Sequence, residues 1–189
     1  MNKYTTNFIY YFFCIVCFMK VTLIGYMGSG KTSIGKMLSK QLKFDFYDLD
    51  DLLVTDQHDS IYNIFKKEGE NSFRKREHLM LKKVLKKNKK YILSVGGGTP
   101  CYYNNIDLLN KFSKTFYLKT NFYTLCKRLY LEKKTRPLIA HFSKKELFQF
   151  IRKHFSKRIF FYEKCFLKID TTGKSKKDIV QEITQFIIS

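Results

Sequence analysis

Gly25-Tyr26-Met27-Gly28-Ser29-Gly30-Lys31-Thr32 fills every specified position of the pattern G-x-x-x-x-G-K-[ST], directly after the apolar run Val21-Thr22-Leu23-Ile24 and ahead of a helical pattern. A strand, a glycine-rich turn and a helix in that order make a phosphate-binding loop. The glycines let the backbone turn where a Cβ would clash. Successive N–H groups then aim inward at a polyphosphate, and the following helix adds the positive end of its dipole. In that setting Lys31 reaches the β- and γ-phosphates, and the Thr32 hydroxyl ligates Mg²⁺. The bland alternative is a glycine-rich turn that merely joins a strand to a helix, and the full match in its proper context outweighs it. What receives the phosphate has to be read from the rest of the chain.

The chain has 189 residues, enough for one domain with a substantial core, and its 44% hydrophobic content is that of an ordinary globular protein. A net charge of +20 would suit nucleic acid or an anionic membrane, but the excess is spread along the chain and is nearly all lysine. There are 30 Lys against 6 Arg, alongside 19 Phe, 13 Tyr and no Trp, a usage that reads as drift towards AT-rich codons. No reading helix or aromatic platform accompanies the charge, so no nucleic-acid partner is expected. Where Lys is the default cation, the arginines at 74, 76, 128, 136, 152 and 158 mark candidate sites for the planar fork that binds carboxylate or phosphate in two places. Cysteines at 14, 17, 101, 126 and 165 include one Cys-x-x-Cys pair and no second pair to complete a zinc site. A reduced, cytoplasmic compartment is expected, with Cys14 and Cys17 inert inside an apolar run.

That run, Phe8 to Met19, holds twelve apolar or aromatic residues. It is too short to span a bilayer and lacks the small-residue cleavage site of a secretory signal. Met19 stands just ahead of the first strand. The expected division is therefore an untranslated or unstructured extension over 1–18 and a phosphate-loop domain over 19–189. A membrane anchor is the alternative for the extension, and stable membrane association is not expected.

Helical spacing of Ile34, Met37, Leu38 and Leu42 predicts a first helix over 31–41. Phe44 to Tyr47 reads as a short strand running into Asp48-Leu49-Asp50-Asp51, where extended geometry would point Asp48 and Asp50 to one side. Ser60 N-caps a helix through Phe65 that ends before Gly69, and a longer helix covers about 71–88. On it Arg74 falls in line with Leu81 and Leu85, whereas Arg76 points away as a solvated charge. An unpaired cation on an apolar arc costs several kcal/mol, so Arg74 needs an anion, either an internal carboxylate or one brought by a ligand.

Tyr91 to Val95 is a buried strand ending in Gly96-Gly97-Gly98, which allows close backbone approach where open α/β sheets bind ligands. Phe116 to Leu118 is the fourth strand, and Phe122 to Leu131 a helix carrying Arg128. The polar stretch from Lys133 to about Lys145, with Arg136 in it, reads as a mobile loop. A helix over about 146–164 sets Leu147, Ile151, Phe155, Ile159 and Tyr162 on one arc, with Arg158 inside it and Arg152 at its edge. Arg158 repeats the problem posed by Arg74. Phe166 to Ile169 makes the fifth strand, and Ser175-Lys176-Lys177-Asp178 a capping-box-like start to a final helix over about 176–188. Five strands alternating with helices give an α/β fold, three layers in α/β/α order around a five-stranded parallel sheet, of phosphate-loop NTPase type with a mobile lid.

In order and spacing the chain resembles shikimate kinase from about Lys20 to the C-terminus. The marks are Gly25 to Gly35, Asp48-Leu49-Asp50, Phe73-Arg74, Gly96-Gly97-Gly98, Arg136-Pro137-Leu138, and Lys157-Arg158 with Tyr162. The loop is shared by many kinases, whereas the ordered set is much more specific. The resemblance implies transfer of phosphate from ATP to the 3-hydroxyl of shikimate, giving shikimate 3-phosphate and ADP on the route to chorismate and the aromatic amino acids. It implies one Mg²⁺ ion and a monomeric enzyme.

By position, the resemblance implies that Gly28, Ser29, Gly30, Lys31, Thr32 and Ser33 wrap the ATP phosphates, with Thr32 and Asp48 holding Mg²⁺. Asp50 would bind ring hydroxyls of shikimate and orient, or take the proton from, the attacking hydroxyl. Arg74 and Arg158 would clamp the substrate carboxylate, and Gly97 would offer backbone to the ring. Arg136 would meet the transferring phosphate, Arg128 would pack on adenine, and Lys174 would stand near it. Lys31, Asp50 and Arg136 are thus the implied catalytic residues. Gluconate and nucleoside monophosphate kinases lack the joint set. From another class comes a basic membrane- or nucleic-acid-binding module whose phosphate loop serves nucleotide-dependent folding.

Overall fold

The computed structural model describes residues 19–136 and 138–188. The expected extension over 1–18, with Cys14 and Cys17, and Pro137 of the lid lie outside the described residues.

Five strands, β1 (Lys20–Ile24), β2 (Asp45–Asp48), β3 (Tyr91–Ser94), β4 (Lys114–Lys119) and β5 (Leu167–Asp170), pair in parallel in the order β2-β3-β1-β4-β5. Alternate residues of the central strands feed two separate cores. Val21, Leu23, Ile92, Phe116 and Leu118 pack with Ile34 and Leu38 of helix α1 (Lys31–Leu42) and with Ile183 and Ile187 of α7 (Lys176–Ile188). Ile24, Tyr91, Leu93 and Tyr117 point the other way, against Leu81 and Leu85 of α3 (Ile61–Leu85), Leu109 of α4 (Asn105–Phe112), Leu125 of α5 (Phe122–Leu131) and Ile151 of α6 (Lys144–Tyr162). Each fully buried Leu, Ile or Val is worth about 1.5–3 kcal/mol, so the period-two pattern fixes which helices lie on which face. Because β1 lies between β3 and β4, the connection from β3 to β4 passes over it. The crevice beyond the carboxyl end of β1 is where such sheets take ligands.

Three local departures from the sequence reading matter for the site. Leu49–Gln57 forms a helix, α2, in place of an extended run, with Asp48 as its N-cap accepting from the Asp50 amide at 3.1 Å. Asp48 and Asp50 still share one side, but across a strand end and a first helical turn rather than by strand alternation. In α3 the predicted break at Gly69 is present as a kink with φ 78° and ψ 171°, and the helix ends at Leu85 rather than near residue 88. The stretch after α5, expected as a loop to Lys145, is more structured than its polarity suggests. It holds a 3₁₀ turn over Lys133–Thr135, a fully buried Ile139, and an α6 start capped reciprocally by Ser143 and Glu146. α4 was not foreseen. Among the described residues no helix is long and apolar enough to cross a membrane.

Candidate active site

The phosphate loop takes its shape from glycine. Gly30 is the N-cap of α1 in the left-handed region at φ 94°, and Gly25 and Gly28 also have positive φ, where a side chain would be strained. Lys31 is buried, and its Nζ donates to the carbonyls of Gly25 at 2.9 Å and Tyr26 at 3.0 Å, so the loop curls around its own ammonium. Burial pulls the Lys31 pKa down to about 8, against the opposing pull of Asp50 and Asp48. Thr32 donates from Oγ1 to Asp48 Oδ2 at 2.8 Å, which brings a hydroxyl and a carboxylate to one point beside the loop. Arg128 donates to the Gly28 carbonyl at 3.1 Å, and Lys176 reaches Ser33 Oγ at 3.4 Å. Lys174, the basic residue singled out in the last loop, is paired with Glu182 instead.

A cleft of about 240 Å³ opens from this loop towards β3. Lys31, Thr32, Ser33, Asp48, Asp50, Gly96, Gly97 and Arg136 all line it. Asp50 is the carboxyl at its inner wall. Burial first, then the neighbouring carboxylates of Asp48 and Glu77, lift its pKa to about 6, against Lys31 and Arg74. Such a group is ionised at neutrality yet close enough to titration to accept a proton.

Across Asp50 stand two buried guanidinium groups, each against the glycine triplet. A Cβ on Gly98 would fall 2.5 Å from Arg74 Nη2, and one on Gly97 would fall 3.5 Å from Arg158 Nη1 and 3.2 Å from the amide nitrogen of Met27 in the phosphate loop. Gly97 is therefore the seam between loop and Arg158, and at Gly98 a side chain would meet the Arg74 guanidinium. Tyr162 donates to the Gly97 carbonyl at 2.5 Å and fixes that seam from α6.

The internal partner weighed for Arg74 exists. Arg74 Nη1 donates to Glu77 at 2.8 Å, and Nε and Nη2 reach Glu70 at 3.3 Å, using three of the five N–H groups of a guanidinium. Glu77 is 1% exposed and also accepts from Thr99 Oγ1 at 2.6 Å. The internal reading of Arg74 thus holds, with a buried ion pair orienting the guanidinium. Arg158 is 8% exposed with its guanidinium 5.9 Å from the Tyr26 ring centroid, while Arg76 pairs at the surface with Glu68 and Arg152 is exposed.

Glu77 was missed from sequence, although it lies one helical turn from Arg74, the spacing at which a carboxylate meets a cation. His154 was missed as well. Its Nδ1 lies 3.0 Å from the Tyr26 hydroxyl, and burial together with Arg158 pushes its pKa down to about 4, so it is neutral where it ties α6 to the phosphate loop. A lone histidine on an α-helix gives no sequence signal for such a role.

A model of the shikimate kinase family matches residues 27–188. The chain is also 41% identical, over 169 residues, to the shikimate kinase of Flavobacterium psychrophilum, covering 89% of this chain and 98% of that one. This chain belongs to the shikimate kinase family. The shikimate kinase of Azobacteroides pseudotrichonymphae is 36% identical over 164 residues, covering 87% of this chain and 96% of the relative. The crystal structure of shikimate kinase from Bacteroides thetaiotaomicron superposes with a TM-score of 0.85 at 31% identity, covering 89% of this chain and 98% of its own. The Acinetobacter baumannii shikimate kinase solved in complex with shikimate gives 0.79 at 28% identity, covering 94% and 97%. A deoxyadenosine kinase from M. mycoides with bound dATP matches at 0.58 and 17% identity, a likeness of fold alone.

Proposed function

We propose that this chain phosphorylates the 3-hydroxyl of shikimate with ATP, releasing shikimate 3-phosphate and ADP as a step of aromatic amino acid biosynthesis, through the residues described above. The observation that carries the reading is the pair of buried guanidinium groups, Arg74 and Arg158, set on the glycine triplet beside Asp50 and against a complete phosphate loop. A small acid with ring hydroxyls suits that arrangement. Its carboxylate meets the arginines, its ring lies on Gly97 where no Cβ intervenes, and a hydroxyl is left facing Asp50 and the loop.

In-line phosphoryl transfer asks the protein for position and charge rather than for covalent chemistry. The loop amides from Gly28 to Ser33 hold the ATP phosphates. Lys31 leaves the carbonyls of Gly25 and Tyr26 for phosphate oxygens, and Arg136 comes to the transferring group from the lid. Asp50 orients the attacking hydroxyl and takes its proton. Arg128 and Lys176 frame the nucleotide end of the cleft. Thr32 Oγ1 and Asp48 Oδ2 are hard oxygen donors that suit Mg²⁺, which binds through one or two such groups together with substrate phosphates and water. When bound there, Mg²⁺ offsets charge on the phosphate oxygens.

Coupled ADP release from Mg²⁺-ATP tests the reading, measured with shikimate, without it, and with gluconate and nucleoside monophosphates as rival acceptors. ADP release dependent on shikimate alone is expected. Folded protein that binds ATP but turns over no acceptor would favour the nucleotide-binding module instead.

A further inference from the structure

The lid arginine is not free to choose its partner. Arg136 Nη2 donates to Glu132 Oε2 at 2.8 Å and Nε to the same oxygen at 3.2 Å, an i,i+4 pair that brackets the 3₁₀ turn after α5. Both residues line the nucleotide cleft, and both are solvated, Arg136 at 37% and Glu132 at 50% side-chain exposure. A carboxylate bound to the cation meant for a polyphosphate competes with that polyphosphate for it.

We propose that Glu132 is a positioning residue that holds Arg136 at the rim of the cleft and yields it to the terminal phosphate of the triphosphate. Resting on the kinase reading above, the exchange makes Arg136 respond to the group that is transferred. A nucleoside diphosphate, one phosphate shorter, leaves the arginine on Glu132. The competition is set at a strength that a phosphate can win. A solvated carboxylate–guanidinium pair is weak, whereas a doubly bonded contact to a phosphate of higher charge is stronger. Because the pair is formed within one short segment, it also presets where Arg136 stands before it moves.

The test is calorimetric binding to the full chain, with Mg²⁺ and either a non-hydrolysable ATP analogue or ADP. Native protein, Glu132→Gln, Arg136→Ala and the double variant are compared. Glu132→Gln keeps the side chain's shape and hydrogen-bonding capacity at a half-exposed position. It is expected to tighten the triphosphate analogue about two- to fivefold, the scale of an exposed ion pair, and to leave ADP unchanged. In the Arg136→Ala background the same substitution is expected to have no effect on either nucleotide. Equal tightening of both nucleotides, or tightening that persists without Arg136, would show simple charge repulsion and overturn the exchange. So would no tightening at all. Turnover gives a second readout: Glu132→Gln lowers the KM for ATP by the same factor and leaves the shikimate KM in place. Native protein without shikimate-dependent turnover would sink the kinase reading alone, because the binding comparison does not require an acceptor.

Discussion

On the reading proposed above, the half of the cleft assigned to phosphate and the half assigned to the acceptor are built in opposite ways. The phosphate half is one short stretch, Gly25 to Ser33, whose work is done by backbone amides and whose shape follows from β1, three positive-φ glycines and the start of α1. The acceptor half is drawn from four places: Asp50 on α2, Arg74 and Glu77 on α3, the triplet after β3, and Arg158 and Tyr162 on α6. It works through side-chain charges, and they are buried, so each depends on another to remain there. Glu77 holds Arg74 and Tyr162 holds Gly97. A site of backbone dipoles tolerates change around it, whereas a site of buried charges fails in pairs, because removing one group strands its partner.

Substitution on the two sides should therefore separate kinetically. The largest effect is expected at Arg136, whose charge the proposed mechanism brings to the transferring phosphate. Arg136→Ala lowers kcat by roughly 10²–10⁵, by analogy with arginine fingers, and leaves the shikimate KM nearly in place. A kcat loss under about tenfold, equivalent to 1.4 kcal/mol, would place Arg136 outside the transition state. On the acceptor side Arg74→Ala and Arg158→Ala each cost about 2–5 kcal/mol in the carboxylate contact, read as a raised shikimate KM with ATP binding intact. The two differ in stability. Arg74→Ala leaves the buried Glu77 carboxylate without its cation and lowers thermal stability by about 3–5 kcal/mol, while Arg158→Ala, whose neighbours are the Tyr26 ring and the Tyr162 hydroxyl, leaves Tm close to native. Equal Tm losses in both would erase the distinction.

A smaller effect tests the seam between the halves. Gly98→Ala puts a methyl 2.5 Å from Arg74 Nη2, and Glu77 keeps the guanidinium from retreating freely. Overpacking of this kind costs about 1–3 kcal/mol. The shikimate KM rises by the corresponding factor while the KM for ATP stays in place, because the displaced group belongs to the acceptor side. Loss of ATP affinity as well would mean that the triplet serves both halves equally.

Legibility followed the same division. The phosphate loop could be read because its function is local: pattern, strand and helix are contiguous, and Thr32 and Asp48 meet as expected. The buried faces were legible too, since Leu81, Leu85, Leu147 and Ile151 repeat at helical spacing, and so was the need of Arg74 for an anion, met by Glu77. What hid was whatever depends on tertiary contact or on a short element of weak pattern. Asp48-Leu49-Asp50-Asp51 reads as extended because its helix, α2, buries only Leu49 and Leu53, too few to show a period. α4 is eight residues long and was missed for a similar reason. His154 takes its meaning from Tyr26, far along the chain, whereas Glu77 and Glu132 stand at local spacing from Arg74 and Arg136, a signal that says nothing of Thr99 or of the cleft those arginines face.

The finest test uses pH, since each half contributes one titrating group. Asp50 must be ionised to take a proton and is lifted to about 6 by burial. Therefore kcat/KM for shikimate rises as pH climbs through about 6, falling tenfold per unit below it. Lys31 must be charged to meet phosphate and is lowered to about 8 by burial, so activity is lost as pH rises through about 8. The acid limb then belongs to the acceptor half and the basic limb to the phosphate half. Asp50→Glu, which keeps a carboxyl but moves it, should shift the acid limb and leave the basic limb where it was. A profile that stays flat on the acid side would mean that Asp50 does not need to be ionised. It would then serve the acceptor as a hydrogen-bonding anchor, with the proton leaving only after the phosphoryl group has moved.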